Sequence, residues 1–126
     1  MNNNESMEMY LETVYVLENS HGHAHGVDIA KRLKVSKPSV TKAVKYLKDQ
    51  GFVYTEKYGT ITLTEKGREL SEKIYVNHQL IARFLEHSLN LPADQANINA
   101  CKIEHILSDE MLEAIKGYLK KNNIEI

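Results

Sequence analysis

Between residues 31 and 48 the chain carries Lys31, Arg32, Lys34, Lys37, Lys42, Lys45 and Lys48 and no acidic side chain, although its net charge is only −1. Seven of its 16 basic residues thus crowd into one stretch of a 126-residue chain whose remainder is net acidic. A basic segment in an acidic body suits local contact with a polyanion better than general adhesion. The stretch is also tightly punctuated. Ile29, Ala30 and Leu33 give a short amphipathic helix over 27–33, Lys34-Val35-Ser36 makes a turn, and Ser36 is an N-cap for a helix from Lys37 to Asp49. Pro38 is tolerated in the first turn of that helix, Val40, Val44 and Leu47 form its buried stripe, and Gly51 ends it. Short helix, tight turn and basic second helix describe a helix-turn-helix, whose second helix enters the DNA major groove with its N-terminal residues at the base edges.

That geometry nominates Ser36, Lys37, Pro38, Ser39, Thr41 and Lys42 for DNA contact. Hydroxyls reach phosphate or base edges, Pro38 can meet a thymine methyl, and Lys42 can donate to guanine or phosphate. Ser36 and Pro38 also have purely structural uses, as cap and helix starter, whereas Thr41 and Lys42 lie opposite the buried valines and read as functional. Beyond Gly51, Phe52–Glu56 and Thr60–Leu63 are β-rich runs separated by Lys57-Tyr58-Gly59, a hairpin that beside a helix-turn-helix is a wing. Lys57 at its tip can touch phosphate.

Helical periodicity continues on both sides. Met7, Tyr10, Leu11, Val14 and Leu17 predict a first helix with Ser6 as its N-cap, and residues 19–26, with His21, His23 and His25, read as a loop. Thr64 caps a long helix from Glu65 to about Leu89, Pro92 breaks it, and helices follow over 93–107 and 109–121, the last capped by Ser108. The fold class is therefore mainly α with a small β-hairpin: a winged helix-turn-helix DNA-binding domain over 1–72, then an all-helical domain over 73–126. Ile103, Ile106, Leu107, Met111, Leu112, Ile115, Tyr118 and Leu119 exceed what two terminal helices can hide, which predicts a homodimer.

Hydrophobic residues make up 42% of the chain and charged ones 26%, as in an ordinary globular protein. No apolar run approaches a membrane span, and Met1–Glu5 lacks the basic and apolar regions of a signal peptide, so no membrane partner and a cytoplasmic location are expected. The single cysteine cannot form an internal disulfide. It lies in Cys101-Lys102-Ile103-Glu104-His105, where spacings of three and four would put thiol, carboxylate and imidazole on one helix face, half of a transition-metal shell.

With the winged helix, Met7-Glu8-Met9-Tyr10-Leu11, Val40-Thr41-Lys42, Leu63-Thr64-Glu65-Lys66-Gly67 and Ile103-Glu104-His105 in this order, the chain resembles the diphtheria toxin repressor family of metal-dependent transcriptional regulators. Its length resembles the short members, such as the manganese transport regulators, that stop after a metal-binding and dimerisation domain. The resemblance implies metal ligands at Met9 and Glu12 on the first helix, His78 on the long helix, and Cys101, Glu104 and His105 further on. Met9 and Cys101 resemble the iron branch and Glu12 the manganese branch, while Ala82 and Asn97 stand where the iron branch's ancillary site has a carboxylate and a second histidine. Thioether and thiolate donors favour Fe²⁺ over Mn²⁺, with Co²⁺, Ni²⁺ or Zn²⁺ binding as well in vitro. The expected function is repression of metal-uptake genes by a homodimer on a double-stranded DNA operator, with the ion as corepressor. One rival is a winged-helix regulator indifferent to metal. The other, a Cys101–His105 enzyme, is disfavoured because neighbours on a helix lack an oxyanion donor set and an orienting third group, so no enzymatic activity is expected.

Overall fold

The computed structural model describes the backbone of residues 3–125 and the side chains of residues 6–57 and 59–125. In chain order it contains α1 (Asn3–His21), β1 (Ala24–His25), α2 (Gly26–Leu33), α3 (Lys37–Asp49), β2 (Val53–Thr55), a 3₁₀ turn (Lys57–Gly59), β3 (Thr60–Leu63), α4 (Glu65–Leu89), α5 (Ala93–Ile103) and α6 (Asp109–Lys121). Contacts divide the chain into two compact units, Met1–Glu72 and Lys73–Ile126, the division falling inside α4. No helix among the described residues is long and apolar enough to cross a membrane.

In the first unit, Leu11, Val14 and Leu17 of α1 bury against Ile29 of α2, Val40, Val44 and Leu47 of α3, and Val53, Ile61 and Leu63 of the sheet. These are the stripes that periodicity marks, and they bring α2 and α3 together as a helix-turn-helix. Both ends of α3 are fixed by local chemistry. Ser36 Oγ accepts from the Ser39 N–H, and beyond the last turn Gly51, at φ 80, lets the Phe52 N–H reach Leu47 O at 2.9 Å and its own N–H reach Lys48 O at 3.0 Å.

Two expectations here need correction. The first helix begins before Ser6 and runs on to His21, so Ser6 is not its N-cap. What carries it past Leu17 is tertiary: Glu18 Oε2 accepts the Leu63 N–H at 2.7 Å, and Oε1 pairs with Arg68 at the start of α4. The segment after it is not all loop, since Ala24 and His25 pair antiparallel with Ile61 and Thr60. The hairpin is thus part of a three-stranded sheet in the order β1-β3-β2, with Val53 opposite Leu63 and Thr55 opposite Ile61. Being two residues long, β1 leaves the Leu63 N–H without a strand partner, and Glu18 takes that place.

The second unit packs Leu80, Ile81, Ala82 and Leu85 of α4 against Ala96 and Ala100 of α5 and Ile115 and Leu119 of α6. Ser108 caps α6 by accepting from the Met111 N–H at 3.1 Å. The expected helix over 93–107 stops earlier, at Ile103. Glu104 is its C-cap and keeps helical φ and ψ of −60° and −28°, with its N–H on Ala100 O, but the Ile106 N–H turns back to Ile103 O. Cys101 and Glu104 therefore share a face, whereas His105 belongs to the turn that follows.

Candidate metal centre and nucleic-acid interface

The outward side of α3 presents Lys37, Pro38, Ser39, Thr41 and Lys42 to solvent, with Ser36 exposed at its cap. Ser36 and Ser39 hydroxyls lie 2.8 Å apart, so these two side chains are partly engaged with each other and with the helix start. Thr41 Oγ1 donates to Lys37 O at 3.1 Å, which spends its hydrogen and leaves its lone pairs to accept from a base amino group. Lys57 is exposed in the 3₁₀ turn at the wing tip. Lys45 and Lys48, which were not among the nominated contacts, share a groove with Thr41 of α3 and Thr55 and Gly59 of the wing. The signal for them is the acid-free basic run over residues 31–48.

In the second unit, α4, α5 and the turn after α5 bring one donor atom each from His78, Cys101 and Glu104 within 4.8 Å of one another. His78 Nδ1 lies 2.8 Å from Glu104 Oε2, and His105 Nε2 lies 3.0 Å from Glu104 Oε1. The Glu104 side chain is fully buried, His105 is 3% exposed and His78 is 16% exposed, so one carboxylate serves two imidazoles where water hardly reaches. The Cys101 thiol contact and the Glu104 hydrogen bond push the His78 pKa up to about 10, against the lowering effect of its partial burial. Cys101 itself is exposed at the end of α5.

Imidazole nitrogen, thiol sulfur and carboxylate oxygen together are a borderline donor set, suited to a divalent transition cation and poorly suited to the all-oxygen cations Ca²⁺ and Mg²⁺. Donors around one such ion stand about 3–4 Å apart, given bond lengths near 2.0–2.3 Å, so this group fits one after small side-chain rotations. Met9 and Glu12 lie three residues apart on α1 of the first unit, Met9 exposed and Glu12 half-buried. Sequence reasoning assigned no role in the site to Asn97, whose Oδ1 lies 3.2 Å from His78 Nε2. Two signals point to it: the resemblance sets it where the iron branch has an ancillary histidine, and it lies four residues before Cys101, on the same face of α5.

The loop histidines group differently. His23 and His25 are half-buried with ring centroids 4.7 Å apart, and His21 is exposed at the end of α1. They join no three-residue ligand group among the described residues.

Residues 4–61 match the iron dependent repressor N-terminal DNA binding domain, and residues 64–124 match the iron dependent repressor metal binding and dimerisation domain. An uncharacterized helix-turn-helix-type transcriptional regulator of Methanocaldococcus jannaschii is 40% identical over 118 residues, spanning 93% of this chain and 94% of its own. The helix-turn-helix-type transcriptional regulator MntR of Lysinibacillus sphaericus is 36% identical over 110 residues, spanning 87% of this chain and 78% of its own. Among solved structures, the manganese regulator SloR superposes with a TM-score of 0.78 at 33% identity, over 95% of this chain and 55% of that one. T. acidophilum IdeR gives a TM-score of 0.81 at 21% identity over 93% of this chain and 54% of its own, a likeness of fold. This chain spans about half the length of these two solved relatives.

Proposed function

The chain belongs to the iron-dependent repressor family, and we propose that it is a homodimeric transcriptional repressor whose hold on double-stranded DNA depends on a divalent transition cation, governing metal-uptake genes. The observation that carries this reading is the meeting of His78, Cys101 and Glu104 in a chain whose other unit presents a basic helix-turn-helix. We assign the ion to His78, Cys101, Glu104 and His105, with Met9 and Glu12 completing its shell from α1. A bound cation would supply a fixed positive charge that favours the one arrangement in which all of these side chains reach it.

The chain's own residues do the rest. Ser39, Thr41 and Lys42 meet base edges and phosphates, with Ser36, Lys37 and Pro38 at the helix start and Lys57 at the wing tip. Leu89, Ile98, Ile106 and Met111 of the second unit are exposed apolar side chains, the kind of surface a second copy of the chain covers. Of the eight apolar residues predicted for that surface, Ile115 and Leu119 are instead buried in the unit's own core and Ile103, Leu107, Leu112 and Tyr118 pack partly against it, which leaves Ile106 and Met111 exposed. A dimer reads two half-sites about one helical turn apart, roughly 34 Å, or a multiple of it.

We rank Fe²⁺ ahead of Mn²⁺ because Cys101 and Met9 offer sulfur where Mn²⁺ prefers oxygen. Co²⁺, Ni²⁺ and Zn²⁺ should bind as well or better in vitro.

The test is DNA binding by gel shift in chelator, in Fe²⁺ under anaerobic conditions and in Mn²⁺. A shift that needs metal in the wild type and loses that need-driven response in Glu104→Ala and His105→Ala, with helical content intact, is the expected result. Equal wild-type binding with and without chelator overturns the reading, and half-saturation at lower Mn²⁺ than Fe²⁺ reverses the ranking.

A further inference from the structure

An imidazole that ligates an ion through one nitrogen presents an N–H on the other, and what accepts that N–H decides which nitrogen is left for the ion. Both nitrogens of His78 face an acceptor, but only one of the two acceptors is itself among the grouped donors, so a cation can take the place of the proton between Nδ1 and Glu104 and cannot do so between Nε2 and Asn97. Nδ1 faces the Glu104 carboxylate at 2.8 Å, while Nε2 faces Asn97 Oδ1 at 3.2 Å. A side-chain amide can in principle be turned either way round, but here its orientation is fixed, since Asn97 Nδ2 donates to the Ala93 carbonyl at 2.8 Å. Turning it over would set its oxygen against that carbonyl oxygen. Asn97 thus offers His78 an acceptor, and Nε2 answers as a donor.

We infer that Asn97 is a positioning residue which commits His78 to hold the ion through Nδ1, the nitrogen that faces Glu104. The inference rests on the metal reading above and refines it. Three observations converge on it. Asn97 and Cys101 are four residues apart on α5, and Glu104 follows at three with helical backbone, so all three address His78 from one face. The ring is 16% exposed, which limits the freedom to turn it over and exchange its nitrogens. And the acceptor is a neutral amide tied to its own helix, which orients the ring without adding charge to a region that already holds the buried Glu104 carboxylate. With Nε2 occupied by Asn97, His78 has no lone pair for a second ion, so it serves a single one.

The experiment uses the full chain with nitrogen-labelled histidine, loaded with Cd²⁺ as a diamagnetic probe and read by NMR, beside a Cd²⁺ affinity titration. In the wild type, cadmium–nitrogen coupling is expected on His78 Nδ1, with a proton retained on Nε2. Asn97→Ala keeps an exposed helical position and alanine's higher helix propensity, so it folds; its affinity is expected to fall about 10- to 100-fold, with the nitrogen pattern of the ring blurred. Asn97→Asp still offers Nε2 an acceptor but sets its second oxygen against the Ala93 carbonyl, so it is expected to keep the Nδ1 coupling while recovering only part of the affinity lost in Asn97→Ala. Coupling on Nε2 in the wild type overturns the inference, as does an Asn97→Ala protein with unchanged affinity and unchanged Nδ1 coupling. A failure of the metal reading looks different: Cd²⁺ uptake that His78→Ala leaves intact, with no coupling on either nitrogen of the wild-type ring, which overturns both.

Discussion

Replacing Gly67 with alanine sets two effects of opposite sign against each other, and the structure decides between them. Gly67 is buried in the first turn of α4, where helix propensity alone favours alanine by about 0.5–1 kcal/mol. An alanine Cβ there would lie 2.0 Å from Phe52 O and 2.9 Å from Phe52 C, with Leu63 Cδ2 at 3.3 Å. Carbon–oxygen contacts normally close no nearer than about 3.3 Å, so the helix must retreat by more than about 1 Å. The retreat pulls on a joint made of three bonds: Thr64 N–H to Phe52 O at 3.0 Å, Gly67 N–H to Thr64 Oγ1 at 3.0 Å, and Thr64 Oγ1 to Gly51 O at 2.7 Å. Overpacking costs about 1–3 kcal/mol and a lost N-cap about 1 kcal/mol, which leaves a net destabilisation of about 1–3 kcal/mol after the propensity gain. For a domain of this size that is a midpoint lower by about 5–20 °C. Thermal unfolding by circular dichroism in chelator measures it. Gly117→Ala in α6 is the matched control, because nothing lies within 4 Å of its added Cβ and propensity should raise stability by about 0.5–1 kcal/mol. A Gly67→Ala midpoint equal to or above wild type would refute the reasoning.

Glu18 gives a second stability test. Glu18→Ala strands the Leu63 N–H and should cost about 1–3 kcal/mol, while Glu18→Gln keeps an oxygen for that N–H and loses only the pairing with Arg68, which is 41% exposed and therefore worth under about 1 kcal/mol. Urea unfolding of the two variants should rank them in that order, and equal losses would mean that the backbone bond is not what Glu18 contributes. On the DNA side, Lys42→Ala should weaken binding and lower the slope of log affinity against log salt by about 1, as for one lost phosphate or base-edge contact. An unchanged slope removes Lys42 from the interface.

How much of the fold was legible depended on whether an element's ends are set locally. The bounds of α3 follow from Ser36 and Gly51, two residues whose capping chemistry is readable without any knowledge of what packs nearby. The same holds for Ser108 at the start of α6 and Thr64 before α4. By contrast α1 outruns its apolar stripe because Glu18 is anchored 45 residues away on Leu63, and a partner at that distance leaves no mark on local periodicity. The strand β1 is invisible for the related reason that two residues cannot show an alternation; it exists because β3 offers an open edge beside Ala24 and His25.

The candidate metal centre divides along the same line, and the division says what kind of site this is. Cys101 and Glu104 are a local pair, three residues apart on helical backbone, and such spacing is readable from sequence. His78 meets Glu104 across 26 residues and Asn97 across 19, so local spacing marks neither; the family resemblance points to His78 as a ligand and to Asn97 only as a residue standing where an ancillary histidine would be. Distant elements therefore have to be brought to one point before the donor set exists, and the unfolded chain offers only the local pair. A cation that takes His78, Cys101 and Glu104 together binds the folded second unit far better than the unfolded chain, and so must stabilise it by mass action, by about 2.7 kcal/mol at a hundredfold excess over the dissociation constant. Glu104 is the most enclosed of the three grouped donors: its carboxylate meets two imidazoles, and its side chain has no exposure, unlike those of His78 and Cys101. On the proposed assignment an ion's effects on folding and on DNA binding would both pass through this side chain, so Glu104→Ala is to be judged by its response to metal and not by its affinity in chelator alone.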